Sequence, residues 1–365
     1  MVKQTNPLNA PYLCYITLTN KCNLRCLHCL GDYKEACENE LKFNEWTKVI
    51  DDLINLNVFY LNISGGEPTQ HPDFEKIIDY LTYRGMHFII TTNGVLSKNA
   101  LDCILRNREY LIGIKISLDG YDAKTHCAIR RGKNLEFNEK IFEQTIKTIE
   151  AIKKECIPLT IATVMHSENI VNFDLFIEFI KGINPISWFI SPIIPSGRGN
   201  YAKELTKRYD YFDKGFWKQI VERCNAKGIN VKLVDLPYDM SESKQLDYYE
   251  CGAALNFCEI NADGTVSPCT LCRTCIPKEK MAFENLRESS FKEIWDGNTF
   301  KEVRHFMTEG CTGCKTFSKC TKCIAQSFRY FGNGISPTPY CINNGINLGI
   351  KDLEGYNSIL KMGSN

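Results

Sequence analysis

Tyr12-Leu13-Cys14-Tyr15-Ile16-Thr17-Leu18-Thr19, separated by two residues from Cys22-Asn23-Leu24-Arg25-Cys26-Leu27-His28-Cys29, decides how this chain is read. The first run is apolar and β-branched, the pattern of a buried strand that ends in a loop. The second places three thiols at C-x3-C-x2-C spacing. Three thiols take three corners of a 4Fe-4S cluster and leave one iron without a protein ligand. Structural iron-sulfur sites normally use four Cys, and structural zinc sites also close their fourth position, whereas catalytic metal sites keep one open. The spacing therefore points to chemistry at the open iron. The competing reading, three buried thiols that happen to lie close together, gives no reason for a strand directly in front of them.

Strand, loop and Cys spacing together resemble the radical S-adenosylmethionine (SAM) enzymes, whose cluster loop follows the first strand of a β/α barrel. The resemblance implies that Cys22, Cys26 and Cys29 hold a SAM-binding 4Fe-4S cluster. It further implies reductive cleavage of SAM to a 5′-deoxyadenosyl radical that abstracts hydrogen from a substrate.

Nineteen Cys in 365 residues would suggest a disulfide scaffold in a short secreted chain, but no apolar segment of signal-peptide type opens the sequence. An odd Cys count also argues against complete pairing. Without a stretch apolar enough to span a bilayer, we expect a cytoplasmic protein that does not enter a membrane, where dense Cys serves metals or catalysis. A net charge of +1 gives no electrostatic handle for nucleic acid or anionic lipid. Seven Cys lie from Cys14 to Cys127, two are Cys156 and Cys224, and ten lie from Cys251 to Cys341. The jump in density near residue 240 suggests two domains, 1–240 and 241–365.

Before that boundary, strand-like and helix-like patterns alternate, as in βαβ units around a parallel sheet. Strands are expected near Tyr12–Thr19, Phe59–Ser64, His87–Thr92, Gly113–Leu118, Leu159–Met165 and Ser187–Ile190, with helices such as Asn44–Leu56, Asp73–Tyr83 and Glu139–Lys153 between them. The expected fold class is α/β, a partial (β/α)6 barrel with a small Cys-rich C-terminal domain. Barrels of this kind carry their sites at the C-terminal ends of the strands, and the suspicious motifs fall there.

Ser64-Gly65-Gly66-Glu67-Pro68 follows the second expected strand. Adjacent glycines let backbone approach a ligand closely, although Gly-Gly before Pro is also ordinary turn chemistry. The motif resembles the GGEP of radical SAM enzymes, which implies that Gly65, Gly66 and Glu67 meet the amino group of SAM. Thr92-Asn93-Gly94 and Ser117-Leu118-Asp119-Gly120, followed by Arg130, occupy the next two strand ends. Short polar side chains there suit a ribose or carboxylate and Arg offers a bidentate fork, while turn and cap chemistry accounts equally for Asn93 and Asp119. The resemblance favours a SAM role for Ser117 and Arg130. Gly197-Arg198-Gly199 is like the loop that borders adenine in the same family. Cys127, three residues ahead of Arg130, is either an inert buried thiol or a hydrogen-atom donor to a substrate radical.

In the C-terminal block Cys251, Cys258, Gly264-x4-Cys269, Cys311-x2-Cys314-x5-Cys320-x2-Cys323 and Cys341 resemble the SPASM domain. Carried over, Cys251, Cys258, Cys269 and Cys323 would ligate a first auxiliary 4Fe-4S cluster, and Cys311, Cys314, Cys320 and Cys341 a second, for three clusters in all. The gap between Cys320 and Cys323 is one residue shorter than the usual pattern. Cys272 and Cys275 lie just beyond Cys269, in a position to replace a presumed ligand. Structural zinc also takes such paired Cys. Enzymes of this type most often modify peptides, so the expected partners are a peptide substrate, with or without a separate leader-binding protein, and an electron donor such as flavodoxin or ferredoxin. Two alternatives stay open. Protein oxidation of the sulfatase-maturing type would place Asp where this chain has Thr270, and radical tailoring of a tetrapyrrole or other small molecule is suggested by the Leu27-His28-Cys29 ending, which is like that of haem-pathway relatives.

Overall fold

A computed structural model describes residues 8–133, 135–194, 196–208, 213–234, 251–309 and 323–331. Each of the six expected strands forms: β1 Leu13–Thr17, β2 Tyr60–Ser64, β3 His87–Thr92, β4 Leu111–Ser117, β5 Leu159–Val164 and β6 Ser187–Ser191. Three more were not expected, namely β7 Val231–Leu233, β8 Phe257–Ile260 and β9 Val266–Ser267. At two to four residues they are too short for a periodic signal. The nine strands form one sheet in the order β7-β6-β5-β4-β3-β2-β1-β8-β9, with every pair parallel except β8 and β9. This is the α/β architecture expected, a partial barrel of β/α units. The sheet also continues past residue 240, because β8 pairs in register with β1, Cys14 facing Cys258 and Tyr15 facing Glu259.

The helices follow from amphipathic spacing. Phe43–Asn55 buries Trp46, Val49, Ile50 and Leu53, and Phe74–Tyr83 buries Phe74, Ile77, Ile78 and Leu81. Both sets follow i, i+3, i+4, i+7, one stripe of a helix. They pack in a common core with the alternate strand residues Cys14, Ile16, Leu61, Ile63, Phe88, Ile90, Ile114, Ile116, Trp188 and Ile190. Since side chains of a strand alternate between faces, the other face receives the intervening residues. These are largely polar or aromatic: Thr17, Asn62, Thr91, Lys115, Phe189 and Glu259. Thr91 Oγ1 donates to Asn62 Oδ1 at 2.9 Å, and Lys115 Nζ sits 4.7 Å from the centre of the Phe189 ring. No helix among the described residues is long and apolar enough to cross a membrane.

Candidate active site

The Cys22–Cys29 loop is clamped by main-chain bonds on several sides. On one, Arg25 N donates to Arg131 O at 2.5 Å and Leu27 N to Ile129 O at 2.9 Å, which brings Arg130 beside the loop. On a second, Cys22 N donates to Lys34 O at 3.1 Å. On a third, the Gly65-Gly66-Glu67 turn docks just before the loop, with Gly66 N on Thr19 O at 2.7 Å and Glu67 N on Lys21 O at 2.9 Å. Gly65 has φ +138°, and a Cβ there would lie 2.5 Å from Thr19 O. Both requirements exclude a side chain, so this glycine is needed for conformation and for contact.

Glu67 is fully buried, and its carboxylate accepts from Thr92 Oγ1 at 2.9 Å, Asn93 N at 2.8 Å and Thr69 Oγ1 at 2.9 Å. Burial pushes its carboxyl above the usual range against these hydrogen bonds. The side chain therefore ties the end of β3 to the glycine turn. Asn93 in turn donates through Nδ2 to Asn23 Oδ1 at 2.8 Å, and the same nitrogen lies 4.0 Å from Cys22 Sγ. Ser117 ends β4, half-buried on the sheet face turned away from the helices.

Asp119 is the electrostatic centre of the site. Its fully buried carboxylate accepts from Arg130 Nε and Val164 N at 2.5 and 2.7 Å, and His28 Nε2 lies 3.9 Å away. Its carbonyl accepts from His166 Nε2 at 3.0 Å, while its N–H donates to His126 Nδ1 at 3.1 Å. Burial alone would raise the Asp119 carboxyl, but the Arg130 guanidinium beside it holds it below the usual range. Arg130 Nη1 then reaches Cys26 Sγ at 3.9 Å. An ion pair thus stands directly against one of the three thiols.

Burial pushes the Cys22 thiol up to about 12 and raises Cys26 as well, with Arg130 opposing the latter. Ligation by a metal deprotonates a thiol outright, so the iron that this loop is spaced to hold offsets that cost. Burial also brings His28 and His126 down to about 3, so both imidazoles are neutral. His28 Nδ1 is buried without a hydrogen-bond partner. The residues present thus fit a cluster with a ligand on its open iron: three thiols, a side-chain-free glycine turn and an unsatisfied imidazole nitrogen meet at one end of the sheet. Among the described residues no three His, Cys, Asp or Glu side chains share a single-ion site.

Sequence reasoning passed over several residues. His126 and His166 support Asp119, and neither belongs to a motif. Arg198, which the sequence sets in a loop like the one that borders adenine, has a role it did not reveal: it grips the back of the Cys loop, with Nε on Cys26 O at 2.6 Å and Nη1 on Asp32 Oδ1 at 2.5 Å. Tyr33 OH accepts from Arg273 Nη2 at 2.5 Å, Arg273 Nε lies 3.5 Å from Glu259 Oε2, and Thr17 Oγ1 donates to Glu259 Oε1 at 2.9 Å. That partly buried network joins the cluster loop to the helix after Cys269. Cys127 donates to Asn138 O at 3.1 Å and packs beside the apolar residues of the loop. Cys323 lies within electrostatic reach of Cys251, Cys269 and Cys275, whereas Cys258 faces Cys14 across the β1–β8 pairing, Sγ to Sγ 3.7 Å. Cys311, Cys314, Cys320 and Cys341 lie outside the described residues.

A parallel β/α sheet with an open-iron Cys loop at its strand ends defines a class of radical enzymes. The model of the radical SAM superfamily matches residues 16–180, and that of the iron-sulfur cluster-binding SPASM domain matches residues 251–324. The chain is similar to the AdoMet-dependent heme synthase of Methanosarcina barkeri, 27% identical over 92% of this chain and 97% of that protein. It is also similar to the mycofactocin maturase MftC of Mycolicibacterium smegmatis, 28% identical over 92% of this chain and 83% of that one. Among solved structures, Streptococcus suis SuiB bound to precursor peptide SuiA superposes with a TM-score of 0.73 at 17% identity, over 93% of this chain and 78% of SuiB.

Proposed function

We propose that this protein is a peptide maturase that abstracts hydrogen from a peptide substrate during its post-translational crosslinking, oxidation or epimerisation. When bound, the cluster and SAM supply the 5′-deoxyadenosyl radical. Cys22, Cys26 and Cys29 hold the iron, and Gly65 and Gly66 present backbone to the amino group of SAM. Asn93 and Ser117 offer polar contacts nearby, and Arg130, oriented by Asp119, a cationic one. Glu67 acts from beneath, holding the glycine turn. The division of labour follows 1–240 for the radical chemistry and 241–365 for the auxiliary clusters. A flavodoxin or ferredoxin is the electron donor the reaction calls for, and a leader-bearing substrate would be served by a separate leader-binding protein. Oxygen-labile clusters suit a reducing cytoplasm.

The observation that carries the peptide reading is the mixed character of the sheet face that leads to the site. Asn62, Thr91 and Glu259 supply amide, hydroxyl and carboxylate groups within a few residues of aromatic Tyr15 and Phe189. Alternating donors, acceptors and apolar surface match an extended chain, which demands main-chain partners as well as side-chain pockets. The similarity to a maturase over 92% of this chain agrees with this. A second reading has its own support: Lys115 and Lys232 lie 4.7 and 6.0 Å from the centre of the Phe189 ring. Two cations on an aromatic platform suit a flat polycarboxylate, and one relative is a heme synthase.

The test is 5′-deoxyadenosine formation under dithionite, with mass spectrometry of the partner. Stimulation by a short peptide encoded beside the gene, with loss of two hydrogens or none, is expected. Stimulation by a porphyrin-type metabolite while such peptides stay inert would establish the second reading instead.

A further inference from the structure

We infer that the first auxiliary cluster is held by Cys251, Cys269, Cys272 and Cys323, with Cys272 in the place that the sequence pattern gives to Cys258. The inference rests on the iron-sulfur nature of the C-terminal domain and is independent of the substrate.

Three observations carry it. First, Cys258 is on the wrong face of its strand. Side chains along a strand alternate, and the next residue, Glu259, points to Ser267, Arg273 and the segment of Cys269: Ser267 Oγ donates to Glu259 Oε2 at 3.3 Å and to Cys269 O at 3.4 Å. Cys258 projects the other way, into the apolar core beneath β1, where its thiol meets Cys14 at 3.7 Å in register across the sheet. Second, Cys272 is beside Cys269. Cys269 caps the helix Thr270–Cys275, and one helical turn puts Cys272 next to it, with Sγ to Sγ 3.6 Å and Cys272 N donating to Cys269 Sγ at 3.4 Å. Two thiols in C-x2-C spacing at a helix start are a ready pair of ligands for one cluster. Third, that helix packs against Ile324–Phe331, which begins one residue after Cys323. Cys275, three residues further on, has Thr274 Oγ1 as its neighbour at 3.7 Å, where Cys272 has the Cys269 thiol.

The test uses the full-length protein, reconstituted anaerobically, with iron assay, Mössbauer spectroscopy and EPR of the reduced state. With three four-iron clusters the wild type should hold about twelve irons. Cys272→Ala should lose about a third of them, or convert one cluster to a three-iron form, while Cys258→Ala and Cys275→Ala keep the full count and spectrum. Circular dichroism separates ligand loss from misfolding. Cys272→His adds a readout that a structural role would not move, because imidazole in place of thiolate raises a cluster's reduction potential: one auxiliary potential should rise and the others stay. Loss of iron from Cys258→Ala or Cys275→Ala with Cys272→Ala intact, an unmoved potential in Cys272→His, or zinc filling the site would overturn the assignment.

Discussion

Replacing Asp119 by Asn removes one charge from the centre of the site while keeping its shape. The carboxylate is fully buried and its partner Arg130 is 8% exposed, so solvent does little to screen the change. Asn retains an oxygen for the N–H of Val164, which Asp119 accepts at 2.7 Å, but leaves the Arg130 guanidinium buried without its counter-charge. Breaking a buried pair in this way costs about 3–5 kcal/mol. For a folding unit of this size that lowers the midpoint of thermal unfolding by roughly 6–20 °C. The assay is scanning calorimetry of the iron-free protein, which keeps cluster loss out of the transition. Removing both charges, as Asp119→Asn with Arg130→Met, should recover much of the loss, since most of the cost comes from the stranded cation. pH supplies a second check. Because the folded carboxyl is held below its usual range, its contribution is complete above the unfolded value of about 3.9 and is lost as pH falls through the lower folded value. The gap between wild type and Asp119→Asn should therefore narrow below about pH 4. A single-variant cost under about 1 kcal/mol, or additive single and double effects, would refute the idea that Asp119 exists to hold Arg130.

Replacing Cys22, Cys26 and Cys29 together by Ala should abolish 5′-deoxyadenosine formation under dithionite and leave the auxiliary clusters spectroscopically intact, since no ligand is shared. Glu67→Ala should cost about 1–3 kcal/mol for each buried donor it strands among Thr92, Asn93 and Thr69, whereas Glu67→Gln, which still accepts from Asn93 N, should cost less; denaturant midpoints of the two decide. Cys127→Ala should give the same product at an unchanged rate if its bond to Asn138 O reflects an inert thiol. Loss of product hydrogen delivery in that variant would put Cys127 in the mechanism.

Much of this was legible in the sequence because the signals are local. Strands β1 to β6 were readable since each carries enough alternating apolar positions, and the cluster loop since its spacing is fixed by the cube it serves. Glu67 shows where local reading stops. Its motif is plain, yet its carboxylate turns inward to Thr92 and Asn93, a choice set by strand β3 and invisible in the motif itself. His166 was not legible as a member of the site, because its partner Asp119 lies 47 residues away along the chain; Arg198 was placed in a loop like the one that borders adenine, but its grip on Cys26, 172 residues away, was not legible. His126 is nearer to Asp119, but it acts on the backbone N–H, which no side-chain pattern records. Strand β8 is the largest surprise: four residues inside a Cys-rich block join a sheet begun more than two hundred residues earlier.

That pairing has a mechanical consequence. Because β8 lies in register on β1, whose end launches the Cys22–Cys29 loop, the two cluster regions share one hydrogen-bonded sheet instead of a flexible hinge. The side chains reinforce it. Thr17 on β1 donates to Glu259 on β8, Glu259 faces Arg273, and Arg273 donates to Tyr33, four residues after Cys29. These contacts form only when both regions are in place at once. The distance between the radical-generating loop and the Cys269 helix is thereby fixed by the fold, as electron transfer or substrate positioning by an auxiliary cluster requires.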